Sequence, residues 1–265
     1  MKKLFILILL LLSLSLPAFV FAGEGLHVIK DKAPTSKMYD RALQFFTEKV
    51  PEAFEKRLAE SQKYIDVITD IFSEKEIPLD LAYLPLIESG FSPLSVGRGD
   101  AVGLWQFVKG TARKYGLRID RYVDERKDPE KSTYAAASYF KDLYNMFGAW
   151  DIALAAYNAG DGKIRRLLRR YKTPHLPRVV DRYMAKFMAA SDVAQDPEKY
   201  GLTSHSEMTG DWPEYIEIVT DKSVSLSAIA GTYNTTVRMI KELNPALIAN
   251  VTPPYEYVIR LPDTE

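Results

Sequence analysis

The sequence predicts a mainly α-helical protein that ends in a small β-α-α-β module, and three observations carry this. Between residues 39 and 75 apolar positions, among them Leu58, Tyr64, Ile65, Ile68, Ile71 and Phe72, recur at three- and four-residue steps. Asp128-Pro129 is a helix-opening pair, followed by Ala136, Phe140, Leu143, Tyr144 and Phe147 on one face until Gly148. Towards the end of the chain two strand-like runs, YIEIV and YVIRLP, bracket two helix-like ones, SLSAIAGTY and VRMIKELN.

The bulk properties agree. The chain has 265 residues, 47% hydrophobic and 12% aromatic, enough for one large domain and a small one with buried cores. Residues 1–22 read as an export signal: Lys2 and Lys3, an apolar run broken at Pro17, and small Ala22 at the expected cleavage point. The mature protein is then expected to lack a stable membrane anchor. There is no cysteine, which excludes disulfides, thiolate catalysis and a lipid-modified N-terminal cysteine. Loss of Lys2 and Lys3 would leave a net charge of about −2, so nucleic acid is not an expected partner.

The elements follow in order. Residues 23–75 form an N-terminal helical segment, expected as two helices broken near Pro51. Ile77-Pro78, with Asp80 in the same turn, starts a helix through LAYLPLIES to Gly90, with a kink at Pro85 that frees the carbonyl of Leu81. Gly97, Gly99, Gly103 and Pro93 make the next stretch a loop, and a helix is expected from Leu104 to Tyr115. Trp150 to Tyr157 is a short apolar helix. KIRRLLRRYK resembles a ligand patch, yet Ile164, Leu167, Leu168 and Tyr171 follow helical spacing, so its arginines read as a solvated face. The boundaries implied are a helical domain at 76–197, a linker at 198–213 and the module at 214–265.

Chemistry narrows to a carboxylate. His27, His175 and His205 fall in no metal-ligand spacing, and neither a nucleophile elbow nor a phosphate-binding loop is present, so no metal or cofactor is expected. Glu88 lies at an expected helix C-terminus beside Leu84 and Ile87, where the helix dipole and thinned water both disfavour ionisation. That is the direction a general acid needs. An ordinary exposed glutamate is the alternative. Gln106 can meet a carbonyl or hydroxyl, Tyr157 and Asn158 lie at a helix end, and Trp105 and Tyr183 offer stacking surfaces, although Trp105 and Tyr157 read equally as core aromatics.

The motifs IESGF, GLWQF at 103–107 and AYNAG at 156–160 resemble the three signature motifs of the lytic transglycosylase domain, a lysozyme-like fold that cleaves bacterial cell-wall glycan. DLAYLPLIESGF, ARKYGL, YVDERKDPEKST and LYNMFGAWDIALAAYNAG make the chain similar to the membrane-bound lytic transglycosylase D type over about residues 40 to 200. SLSAIAGTYN, IKELNPAL and IRLP resemble a LysM module, degenerate where Gly-Asp-Thr is replaced by Asp221-Lys222-Ser223. The resemblance implies a lyase whose sole catalytic carboxylate is Glu88. It would cut between N-acetylmuramic acid and N-acetylglucosamine of peptidoglycan and close a 1,6-anhydro ring. It also implies substrate contacts from Gln106, Tyr157, Asn158, Trp105, Tyr183 and Ser89, and a periplasmic or secreted location.

Four positions depart from the pattern of the family that the chain resembles. Gly97 stands where serine is usual, Asp100 where glycine is usual, and Val180-Asp181 where Thr-Arg is usual. Asp100 admits a rival, a water-activating carboxylate in a goose-lysozyme-like hydrolase, or a plain loop aspartate. A non-catalytic glycan-binding protein is the other alternative. The module either binds N-acetylglucosamine chains or packs against the larger domain.

Overall fold

The computed structural model describes residues 36–171, 178–203 and 214–263. The expected export signal, all three histidines and residues 204–213 of the expected linker lie outside these. Two apolar cores organise the described residues, a large one in the helical part and a small one in the C-terminal module.

The N-terminal segment contains α1 (Ser36–Gln44), a π-helical turn (Phe45–Lys49), α2 (Pro51–Gln62) and α3 (Ile65–Glu74). The break at Pro51 is as expected, because proline lacks the N–H that would continue the preceding helix but suits a first-turn position. A second break at Lys63-Tyr64 was hidden in the sequence, since the apolar spacing runs straight through it. Helix α1 lies along the much later α9 (Arg178–Gln195), and the Tyr39 hydroxyl donates to Asp192 across 2.6 Å.

The expected helix from Ile77 to Gly90 is corrected. The chain makes a 3-10 turn over Leu79–Tyr83 and then the one-turn α4 (Pro85–Glu88). Pro85 starts α4 instead of kinking a longer helix, and the Leu81 carbonyl is not freed: it accepts from the Leu84 N–H at 3.1 Å. The helix expected from Leu104 is also shorter, being α5 (Lys109–Lys114). Residues 102–107 instead fold back on themselves, with Val102 and Phe107 exchanging backbone hydrogen bonds and Gln106 at φ 51°.

Helix α6 (Pro129–Phe147) begins as its sequence predicts. The Asp128 carboxylate accepts from the Glu130 and Lys131 N–H groups, a cap worth about 1 kcal/mol. Gly148 ends the helix at φ 69°, a left-handed conformation that favours glycine. The short α7 (Trp150–Ala159) and α8 (Asp161–Tyr171) follow. In α8 Ile164 is fully buried and Arg165, Arg166, Arg169 and Arg170 are exposed, the amphipathic face the spacing predicts.

The C-terminal module is the expected β-α-α-β unit: β1 (Tyr215–Thr220), α10 (Leu226–Thr232), α11 (Val237–Leu243) and β2 (Tyr257–Pro262), with β1 and β2 antiparallel from Tyr215 opposite Pro262 to Thr220 opposite Tyr257. It is docked on the helical part at residues 118–131. Val123, fully buried, sits in the module's own apolar core with Leu226, Ile240, Leu247 and Ile259. Val123 and Leu247 form a backbone bridge, the Asp124 N–H donates to the Ala246 carbonyl at 2.9 Å, and the Ile248 N–H donates to the Tyr122 carbonyl at 2.9 Å. Arg260 of β2 reaches Asp128 at 3.3 Å and Glu130 at 2.5 Å, and the Arg118 guanidinium lies 4.0 Å from the Tyr255 ring centroid. Among the described residues no helix is long and apolar enough to cross a membrane.

Candidate active site

Glu88 closes α4 and is half-buried at the edge of a cavity of about 580 Å³. The cavity wall comes from the 98–108 loop (Arg98, Ala101, Gln106, Phe107), its far side from the end of α7 (Tyr157, Asn158, Gly160), with Thr111 and Tyr139 completing it. Glu88 is the one carboxylate among the described residues that line it.

Helix α9 supplies two groups to Glu88. The Tyr183 hydroxyl donates to Glu88 Oε1 at 2.5 Å, and Lys186, one helical turn on, approaches the Ile87 carbonyl at 3.5 Å. Burial raises the Glu88 pKa, and the Tyr183 hydrogen bond and the Lys186 charge partly oppose it. Because α4 is a single turn, the dipole argument for the raised pKa is replaced by desolvation. The Tyr183 pKa is pushed well up by burial and by the Glu88 charge, so the phenol keeps its proton to donate. Burial and the nearby Arg57 pull the Lys186 pKa down, against the pull of Glu88.

Gln106 lies on the wall, with Nε2 donating to the Gly103 carbonyl at 3.0 Å. Its Oε1 occupies the space a Cβ on Gly97 would fill, so a side chain there would have to displace the Gln106 amide. The Tyr157 hydroxyl donates to the Trp105 carbonyl at 2.7 Å, and its ring stacks on Phe140 with centroids 4.6 Å apart. Asn158 is exposed on the rim.

Two of the expected contact residues point their side chains away from the cavity. Trp105 borders the cavity, but its side chain is fully buried against Phe72 and Phe140, with its indole N–H donating to Thr133 at 2.9 Å. The Ser89 hydroxyl turns from the cavity to donate to the Leu104 carbonyl at 2.9 Å, and Ser89 lines a separate groove with Lys56 and Arg57. Tyr139, Thr111, Arg98 and Lys186 were not foreseen. Lys186 had a sequence signal, its three-residue spacing from Tyr183 on one helix.

Asp100 does not line the cavity. Its carboxylate is exposed, pairs with Lys109 at 3.0 Å and lies 3.7 Å from Arg126, and the Lys109 hydrogen bond leads in holding its pKa below the ordinary aspartate value. The buried Arg126 donates from Nη1 to the carbonyls of Asp100 (2.6 Å) and Phe107 (3.1 Å), while Asp124 takes Nε and Nη2 at 2.9 and 2.7 Å. Among the described residues there is no group of three or more His, Cys, Asp or Glu placed to hold a metal.

Two stretches of the chain match known protein families. Residues 73–175 match the family model of the transglycosylase SLT domain, and residues 214–265 that of the LysM-like domain of lytic transglycosylase MltD. Tyr183 and Lys186 lie beyond the first match. The membrane-bound lytic murein transglycosylase D of Escherichia coli (strain K12) is 32% identical over 152 residues, 54% of this chain and 34% of that protein. The membrane-bound lytic murein transglycosylase C of Edwardsiella ictaluri (strain 93-146) is 28% identical over 163 residues, 54% of this chain and 40% of that protein. The chain thus spans well under half the length of these relatives. Among solved structures, the 70 kDa soluble lytic transglycosylase SLT70 of Escherichia coli aligns with a TM-score of 0.42 and 24% identity, over 56% of this chain and 26% of that one. Residues 73–175 carry a transglycosylase SLT domain and residues 214–265 an MltD-type LysM-like domain, and the chain is homologous to membrane-bound lytic murein transglycosylase D.

Proposed function

We propose that the protein is a peptidoglycan lytic transglycosylase of the bacterial cell envelope, exported to the periplasm, with Glu88 as its acid and base. One observation carries the reading: a single, desolvated carboxylate faces a cavity that no second carboxylate among the described residues lines. Two-carboxylate glycosidases need a partner acid about 5–9.5 Å away to act as nucleophile or to activate water. Here the substrate has to supply its own nucleophile.

Protonated Glu88 gives its proton to the glycosidic oxygen between N-acetylmuramic acid and N-acetylglucosamine, and the bond from that oxygen to muramic C1 breaks. The carboxylate left behind takes the proton of the same sugar's 6-hydroxyl, whose oxygen bonds to C1. The products are a free 4-hydroxyl and a 1,6-anhydro ring, and Glu88 ends protonated as it began. The sugar's N-acetyl group stabilises the positive C1. Gln106, Tyr157 and Asn158 frame the bound glycan, and Tyr183 holds the carboxylate in place.

The test is mass analysis of digested cell-wall sacculi with wild type and Glu88→Gln in parallel. Anhydromuramic ends are expected from the wild type, and a loss of about 10²–10⁴-fold from the variant. Reducing muramic ends would mark a hydrolase instead, and glycan binding without turnover in either protein a binding module.

A further inference from the structure

We propose that the C-terminal module holds the wall of the Glu88 cavity in place through Arg126, a positioning residue for the cleavage proposed above, on which reading this inference rests. A continuous run of bonds joins the two. On the module side, Leu247 bridges Val123, and the Ala246 and Tyr122 carbonyls accept across the junction, so residues 122–124 are clamped as an added strand-like segment. Val123 is anchored in the module's apolar core.

The backbone of Asp124 is therefore fixed from the module side while its carboxylate faces the helical domain. That carboxylate takes two nitrogens of Arg126, leaving the third, Nη1, for the Asp100 and Phe107 carbonyls. A planar guanidinium held in a fork has its remaining donor aimed in one direction only. The two carbonyls flank Ala101 and Gln106 of the cavity wall. The Arg126 carbonyl lies where a Cβ on Gly103 would be, so the loop is pressed directly onto this segment.

The wall needs such a support. Asp100 and Gln106 hold φ values of 63° and 51°, a left-handed region uncommon for non-glycine residues, though aspartate enters it more readily than glutamine. If residues 122–124 lose the module, Asp124 loses its register. Arg126, only 2% exposed, must then find another partner, and the carbonyls of the wall are released.

Hydrogen exchange read by mass spectrometry tests this without substrate. Leu247→Asp loosens the module side and Arg126→Gln cuts the link itself. In both, exchange of the Gly97, Val102, Gly103, Gln106 and Phe107 amides is expected to rise by about tenfold or more while α6 and α7 stay protected. On glycan oligomers KM is expected to rise more than kcat falls, with the acid limb of the pH profile in place and Arg126→Lys recovering part of the loss. Wild-type protection of the 97–107 amides in Arg126→Gln, or in a Leu247→Asp protein whose 246–248 amides exchange freely, overturns the proposal. Absence of turnover in the wild type would instead count against the enzymatic reading and leave the exchange result to decide the positioning.

Discussion

The Tyr183 hydroxyl donates to Glu88 Oε1 at 2.5 Å, joining the end of α4 to a helix nearly a hundred residues later in the chain. The bond favours the ionised carboxylate and so works against the burial that raises the Glu88 pKa. In Tyr183→Phe burial acts with less opposition and the pKa rises further. An acid must be protonated, so the variant is expected to keep its activity to higher pH than the wild type. A kcat profile whose basic limb stays fixed or moves down would contradict the assigned roles.

Glu88 also has a stability consequence. Its folded pKa lies above the unfolded value, so its favourable contribution is complete below the unfolded pKa and is lost as pH rises through the folded one. Above the unfolded value, keeping or losing that proton in the buried site costs stability, a cost that Glu88→Gln removes. The variant is expected to melt higher than the wild type at pH 7, with the gain gone near pH 4, about the unperturbed carboxylate value. Calorimetry at both pH values decides it.

Gly97→Ser puts a side chain where Gln106 Oε1 lies. Gln106 is expected to leave its place on the wall, and kcat/KM to fall about tenfold, roughly 1.4 kcal/mol of transition-state stabilisation. A crystal structure of the variant with Gln106 unmoved would rule this out.

Arg260→Met removes the cation between Asp128 and Glu130 and leaves Asp128, only 5% exposed, with its helix-capping bonds alone. Breaking one side of a buried pair costs about 3–5 kcal/mol. A matching fall in the urea midpoint is expected, with the slope unchanged if the molecule still unfolds as one unit.

Much of this architecture was legible in the chain. The Asp128-Pro129 start, the Gly148 stop, the arginine face of α8 and the β-α-α-β order all rest on local signals, and local signals survive folding. Pro85 was misread because a proline can kink a helix or begin one, and only the turn before it decides which. The early start given to α5 has the same character: nothing in GLWQF announces that Gln106, which is not a glycine, will take a positive φ. At the site, Glu88, Gln106, Tyr157 and Asn158 do share a cavity, but Trp105 had to be either a platform or core, and composition could not choose. Arg126 was invisible as a site residue because its partners at 100, 107 and 124 converge only in three dimensions.

Val123 belongs by sequence to the helical domain and by packing to the module. The module is therefore docked on the helical domain through residues 122–124, at a defined distance from Glu88. Any sugar it engaged would be registered against the scissile bond like a mark on a ruler. The lengths of the fragments released would then carry an imprint of that spacing, which a tethered module would blur.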